Sequence, residues 1–194
     1  MKPTKEERNK WWLICYGITS MEKAIKACRI LQEICDTNQH VAFESLSLAV
    51  HAFYSRPFKR NGGVGKLNVD IVPPDRKGVH KWLEHFRDCA MAHTDAGHDD
   101  VAGRPLNDVV YLKDGDRETF STLSPSAPVS AYEVAREHCE HMLELFHEEL
   151  AAFHERFAEL MPQEDGEFLF NLEDESTLFT KGYDKPGRGN LNYK

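Results

Sequence analysis

The stretch WLEHFRDCAMAHTDAGH, Trp82 to His98, decides how this chain is read. Its first half has the spacing of an amphipathic helix. With Val79 just upstream, Trp82, Leu83, Phe86, Ala90 and Met91 fall on one apolar stripe. Its second half sets Arg87, Asp88 and His93 among small apolar residues and then breaks at Thr94-Asp95-Ala96-Gly97. An Arg–Asp pair and a histidine on a packed helix are either ordinary surface and helix-end residues or parts of a site. The macrodipole alone favours a histidine near a helix C-terminus. The spacing also raises a difficulty. Six residues of helix turn the side chains by about 600°, which leaves Arg87 and His93 roughly 120° apart. They meet only if His93 lies where the helix ends, or if two chains each supply their pair to one cleft across a two-fold axis.

Outward from this helix, the rest of the chain reads as helices too. The 194 residues suit one domain with additions, and 41% hydrophobic residues suffice for a core. The segment before Gly17 is weakly helical. Thr19-x-x-Glu22 then reads as a capping box opening a first helix over 20–36, with Ala24, Cys28, Leu31 and Cys35 on its apolar face. A second helix follows Asp36-Thr37-Asn38. It uses Val41, Phe43, Leu46, Leu48, Ala49, Val50 and Phe53 and ends before Pro57, and its apolar residues run most of the way round. The third helix is expected from Pro74 to about Thr94. A small hairpin over 107–122 turns at Asp114-Gly115. Ser130-x-x-Glu133 opens a fourth helix that Pro162 stops, over 130–161. The expectation is an all-α, up-and-down four-helix bundle over residues 1–162, with the β-hairpin inserted before the last long helix. Residues 163–194 form a C-terminal tail, partly docked through Phe168–Phe170 and Leu178–Phe179.

Charge narrows the function. A formal net charge of −8 excludes a globally basic nucleic-acid binder, so any affinity for RNA needs a local patch. One such patch exists. Between residues 56 and 81 the cations Arg56, Lys59, Arg60, Lys66, Arg76, Lys77 and Lys81 face only Asp70 and Asp75. Of these, Arg56, Lys59, Arg60 and Lys66 are candidates to track an RNA backbone. The alternatives are that they keep a glycine-rich loop solvated, or that Arg56 docks on the acidic fourth helix while Phe58 plugs the end of the bundle. The loop's GGVGK lacks the spacing of a phosphate-binding P-loop. The fourth helix carries His138, His141, His147 and His154. Its Glu144-x-x-His147 is half of a di-iron pattern whose second half is missing, and no zinc spacing occurs, so no metal and no cofactor is expected. Five scattered cysteines without a CxxC pair read as reduced thiols. The short apolar run Trp11–Tyr16 is neither a signal sequence nor a membrane span, which gives the expectation of a soluble cytoplasmic protein without membrane partners.

An arginine with a histidine suits phosphodiester cleavage without a metal. Histidine titrates near neutrality and can take a proton from a 2′-hydroxyl or return one to a leaving oxygen. A guanidinium forks onto a phosphate and stabilises charge developing there. The string Arg87-Asp88-Cys89-Ala90-Met91-Ala92-His93-Thr94-Asp95 resembles the signature of HEPN domains: an Arg, a polar residue, and a His after four to six intervening residues. The ending AHTD is typical of the branch similar to abortive-infection proteins. The upstream YSRPFKRNGGVGKL, Tyr54 to Leu67, is similar to what such sequences place between their second and third helices. The resemblance spans about residues 20–98, and Cys89 stands where Lys or another polar residue is common. It implies a homodimeric helical bundle. In active members the paired motifs form a metal-independent endoribonuclease site at the dimer cleft. Carried over by position, His93 is the acid/base group, Arg87 the phosphate stabiliser and Asp88 the supporting polar residue. The expected function is an RNA-cleaving toxin or anti-phage effector, with an antitoxin or other protein as a partner. The alternative is a non-catalytic dimer used for binding or assembly, since many members of the family have lost catalysis.

Overall fold

The computed structural model describes residues 2–88, 98–99, 105–106, 109–122, 127–173 and 177–181. It is mostly helical, with helices α1 (Lys5–Ile34), α2 (Phe43–Ser55), α3 (Lys77–Phe86) and α4 (Ala131–Arg156). Three antiparallel strand pairs accompany them: β1 (His98–Asp99) with β2 (Pro105–Leu106), β3 (Val109–Asp114) with β4 (Arg117–Thr122), and β5 (Phe168–Phe170) with β6 (Phe179–Lys181).

The first helix corrects the sequence reading. No break occurs at Gly17 and no cap forms at Thr19. α1 runs unbroken for 30 residues. The capping box sits at its true start, where Thr4 Oγ1 accepts from the Glu7 amide and Glu7 Oε2 accepts from the Thr4 amide at 2.8 Å. Thr19 is mid-helix, its hydroxyl directed back at the Cys15 carbonyl. Gly17 does not end a helix; it permits a close approach. A Cβ there would lie 2.7 Å from Cε2 of Phe146 on α4. The two helices run antiparallel, as the ion pairs Glu7–Arg156, Lys10–Glu149 and Arg29–Glu140 require. Met21, Cys28 and Leu31 of α1 are fully buried together with Met142 and Phe146 of α4.

The other helices differ from expectation in bounds and in which residues face inward. α2 starts two residues after Val41, which is 93% exposed, and Leu48 is also turned outward. Its buried face instead carries Phe43, Ser47, Val50, His51, Tyr54 and Ser55. The apolar ring expected around α2 is therefore half polar inside. Pro74–Arg76 forms a separate 3-10 turn, and α3 begins at Lys77. The expected continuation of α3 over 89–94 lies outside the described residues. α4 has no side-chain cap at Ser130; backbone turns from Pro128 and Val129 lead into it. It ends at Arg156 rather than 161, where Phe157 leaves helical geometry and is buried against Phe153. Burial of that ring outcompetes the extra turn, and a 3-10 turn at Ala158–Leu160 carries the chain to Pro162.

The hairpin before α4 forms. β3 and β4 pair from Val109↔Thr122 to Asp114↔Arg117, and Gly115 takes a left-handed φ of 60° at the turn. After α4, β5 and β6 bring Phe170 over Trp11 of α1, with ring centroids 4.0 Å apart. Among the described residues no helix is long and apolar enough to cross a membrane.

Candidate functional site

α3 presents two faces that do different things. Leu83 and His80 point inward and are buried, while Glu84, Arg87 and Asp88 stand half-exposed at its C-terminal end. At Arg87 and Asp88 the backbone opens into a π turn. The carbonyl of Leu83 accepts from the Arg87 amide and also from the buried His51 Nδ1 at 3.1 Å. A side chain inserted into the helical ladder at that carbonyl loosens the turn that carries Arg87.

The Arg87 guanidinium donates from one terminal nitrogen to Asp88 Oδ1 at 2.8 Å. The other carboxylate oxygen of Asp88 accepts from Lys59 Nζ at 2.6 Å, and the same ammonium reaches Glu84 Oε1 at 3.1 Å. Lys59 arrives there because α2 ends in the 3-10 turn Arg56–Phe58. Pro57 and Phe58 are buried, and Phe58 packs 4.8 Å from the His80 ring. Leu67 donates its amide to the Pro57 carbonyl, and Asn61 Nδ2 donates to the Lys59 carbonyl, so the loop is tied on both sides of the lysine.

From Glu84 the chain of hydrogen bonds runs into the core. Glu84 Oε2 lies 3.0 Å from His80 Nε2, His80 Nδ1 lies 2.6 Å from the Tyr54 hydroxyl, and that hydroxyl lies 2.8 Å from His138 Nε2. The directions follow from the groups. A carboxylate only accepts, so His80 Nε2–H donates to Glu84. With its proton on Nε2, His80 accepts at Nδ1 from Tyr54, whose oxygen accepts from His138 Nε2–H. The atom left over is His138 Nδ1, which is buried without a partner among the described residues. In this direction it is a bare acceptor. The reverse direction would strand a buried N–H there, which costs more. A second buried set lies beside the first: His51 Nε2 is 3.2 Å from the Tyr132 hydroxyl, which also bonds Ser47.

The electrostatics follow from these partners. Burial raises the Glu84 carboxyl, but hydrogen bonds from His80 and Lys59 outweigh it and the net direction is down. Asp88 behaves alike: burial pushes it up, and the bonds from Lys59 and Arg87 bring it below the usual aspartate range. Desolvation lowers Lys59, and the two carboxylates reverse that and raise it. Burial holds His138 down at about 4, helped by the charge of Arg76, and it holds His51 down at about 4 against the Leu83 bond. Both imidazoles are thus neutral at physiological pH. Burial raises the phenol of Tyr132 to about 12 and that of Tyr54 further.

The residues expected to act together are distributed as follows. Arg87 and Asp88 are adjacent and paired. His93 and Cys89 lie outside the described residues. The four loop cations differ in their surroundings. Lys59 is spent on Glu84 and Asp88. Arg56 lies over the Phe53 ring, 4.7 Å from its centroid, rather than on α4. Arg60 is exposed at the start of the turn. Lys66 lines a different groove of about 830 Å³, between the first turns of α1 and the 64–71 segment, with Lys5, Lys10, Glu149 and Asp70. The histidine run of α4 also splits. His138 is buried in the core, His141 pairs with Glu144 at 3.7 Å, and His147 and His154 are exposed. Among the described residues no group of His, Cys, Asp and Glu is arranged to hold a metal ion, and Cys15, Cys28, Cys35 and Cys139 are free thiols.

The sequence reading missed Ser47, His51, Tyr54 and His80, and it took His138 only as one of the histidine run on the fourth helix. The signal was present as a polar stripe at i, i+4 and i+7 on α2, and as the i, i+4 pair His80–Glu84. Comparison with protein-family models, curated proteins and solved structures finds no match to this chain.

Proposed function

We propose that this chain is a metal-independent endoribonuclease, built on a HEPN-like up-and-down four-helix bundle and working as a homodimer whose cleft holds two copies of Arg87 and His93. The observation that carries the reading is the half-exposed Arg87 guanidinium, anchored at the end of α3 by Asp88 and Lys59. Among the described residues one of its five N–H donors is taken by Asp88, and a guanidinium fork suits a phosphate. In the proposed reaction His93 takes the proton of a ribose 2′-hydroxyl. The 2′-oxygen attacks the adjacent phosphorus, and Arg87 stabilises the charge on the phosphoryl oxygens. The P–O5′ bond breaks, leaving a 2′,3′-cyclic phosphate, and the departing 5′-oxygen takes a proton from the His93 of the second copy. A toxin or anti-phage effector, with an antitoxin partner, fits such an activity.

A second reading has its own support. At the end of α3 two cations face two carboxylates, so the cluster is electrically balanced in an already acidic chain. A non-catalytic binding or assembly dimer needs no more than that. Cleavage of total RNA and tRNA in excess EDTA separates the two. The nuclease reading expects wild type to leave cyclic phosphate ends, a loss of about 10²–10⁴-fold in His93→Ala, and about 10²–10³-fold in Arg87→Ala. Three folded, dimeric proteins that all fail to cut would exclude catalysis on those RNAs and make the binding module the better reading.

A further inference from the structure

Lys59 belongs to the most cationic loop of the chain, yet it is not presented to solvent as a phosphate ligand would be. Its ammonium sits between Asp88 Oδ2 at 2.6 Å and Glu84 Oε1 at 3.1 Å, with its side chain only 31% exposed. The opposite oxygen of Asp88 holds Arg87, and the opposite oxygen of Glu84 holds His80. The lysine therefore joins the two carboxylates in an unbroken series from surface to core: Arg87, Asp88, Lys59, Glu84, His80, Tyr54, His138. Each carboxylate in it is bound on both oxygens. Tyr54, His80 and His138 are buried and cannot meet a substrate. Their geometry serves the one member that can reach solvent with a fork of donors, Arg87.

We propose that Lys59 is a positioning residue of the Arg87 site rather than an RNA-contacting lysine: it clamps Asp88 to Glu84 and thereby fixes the guanidinium on a core-anchored support. This rests on the nuclease reading for its kinetic consequence, though not for its structural one. Guanidinium orientation matters because a displacement of about 1 Å at a reacting centre can cost about a hundredfold in rate. A backbone-contacting lysine would act otherwise. It would contribute to RNA affinity and to the salt dependence of binding.

The experiment compares wild type, Lys59→Met, Lys59→Arg and Arg87→Ala on tRNA in EDTA, at saturating and sub-saturating RNA. Circular dichroism checks each fold, and Lys59→Gln stands in if the Met variant does not fold. In Lys59→Met, kcat is expected to fall by about tenfold to a hundredfold while KM stays within about twofold. Lys59→Arg, which keeps a cation able to span both carboxylates, should recover most of the rate. A raised KM with unchanged kcat would make Lys59 an RNA contact and overturn the assignment. If wild type fails to cut, or Arg87→Ala cuts as well as wild type, the nuclease reading fails by itself. The clamp is then decided by a carbon-NMR titration of the Asp88 carboxyl. Its midpoint should rise by about one pH unit in Lys59→Met. An unmoved midpoint would sink the clamp whatever the RNA result.

Discussion

The two sides of α4 are packed on different principles. Toward α1 the interface is dry and close: Phe146 seats against the bare backbone of Gly17, among Met21, Met142 and Cys28. Toward α2 and α3 it is buried but polar. Tyr132 bonds His51 and Ser47, and His138 reaches through Tyr54 to His80. Apolar burial is non-directional and stabilises in proportion to area. Buried hydrogen bonds contribute less net energy but impose direction, and each unpartnered end is costly. The first interface sets how firmly the helices are held. The second sets the rotation of α3, and so where Glu84, Arg87 and Asp88 emerge.

Substitutions at the two interfaces should part accordingly. The largest loss is expected at the dry one. Phe146→Ala opens a cavity opposite Gly17 and should cost about 3–5 kcal/mol, read from the midpoint of urea unfolding. If the loss is under about 1 kcal/mol, the close α1–α4 seat is not what holds the helices together. Tyr54→Phe comes next. It removes one oxygen and leaves both His80 Nδ1 and His138 Nε2–H unpaired, at about 2–4 kcal/mol. Unlike Phe146→Ala, it should also disturb the environment of Arg87, visible in its guanidinium NMR signals. An undisturbed Arg87 would break the link drawn between core and site.

Mild acid should act mainly through the two buried histidines of the polar side. His51 and His138 have folded values lowered from 6.5 to about 4 by burial. The unfolded chain therefore binds protons that the folded one refuses. Their contribution is intact above about pH 6.5 and is lost as pH falls toward 4. Between pH 7 and 5.5 this amounts to about 2 kcal/mol for the pair, with stability rising as pH rises. His138→Gln keeps a donor toward Tyr54 but does not titrate, so it should remove about half of that acid sensitivity in unfolding curves at the two pH values. An unchanged slope would show that His138 is not the neutral group described. The smallest effect is at the end of the dry interface. Thr4→Ala deletes one side of the capping box and should cost about 1 kcal/mol without altering Arg87.

Element type was legible in the residues because periodicity survives in a linear string. The Trp82–Phe86 stripe is helical, Asp114-Gly115 turns a hairpin, and α4 carries its apolar residues at helical spacing. Boundaries were less legible. Thr19-x-x-Glu22 and Ser130-x-x-Glu133 have the composition of caps, but Thr4 and Glu7 form the box and Ser130 makes no cap bond. Of the candidate site, the Arg87–Asp88 pairing was readable because the two are adjacent. The role of Lys59 was not, since its partners lie 25 and 29 positions away along the chain. A lysine in a basic loop looks solvated until its partners are known.

By itself the sequence determined a helical chain with a hairpin before its last long helix, and an Arg–Asp pair on the third helix. Tertiary structure alone decided that Gly17 is a seat for Phe146 rather than a break. It also decided that Ser47, His51, Tyr54, His80 and His138 lie inside, and that Lys59 serves two carboxylates. Local propensity and periodicity act over a few residues and can be read in order. Burial and the pairing of polar groups depend on which distant atoms arrive at the same point, and only the packed fold specifies that.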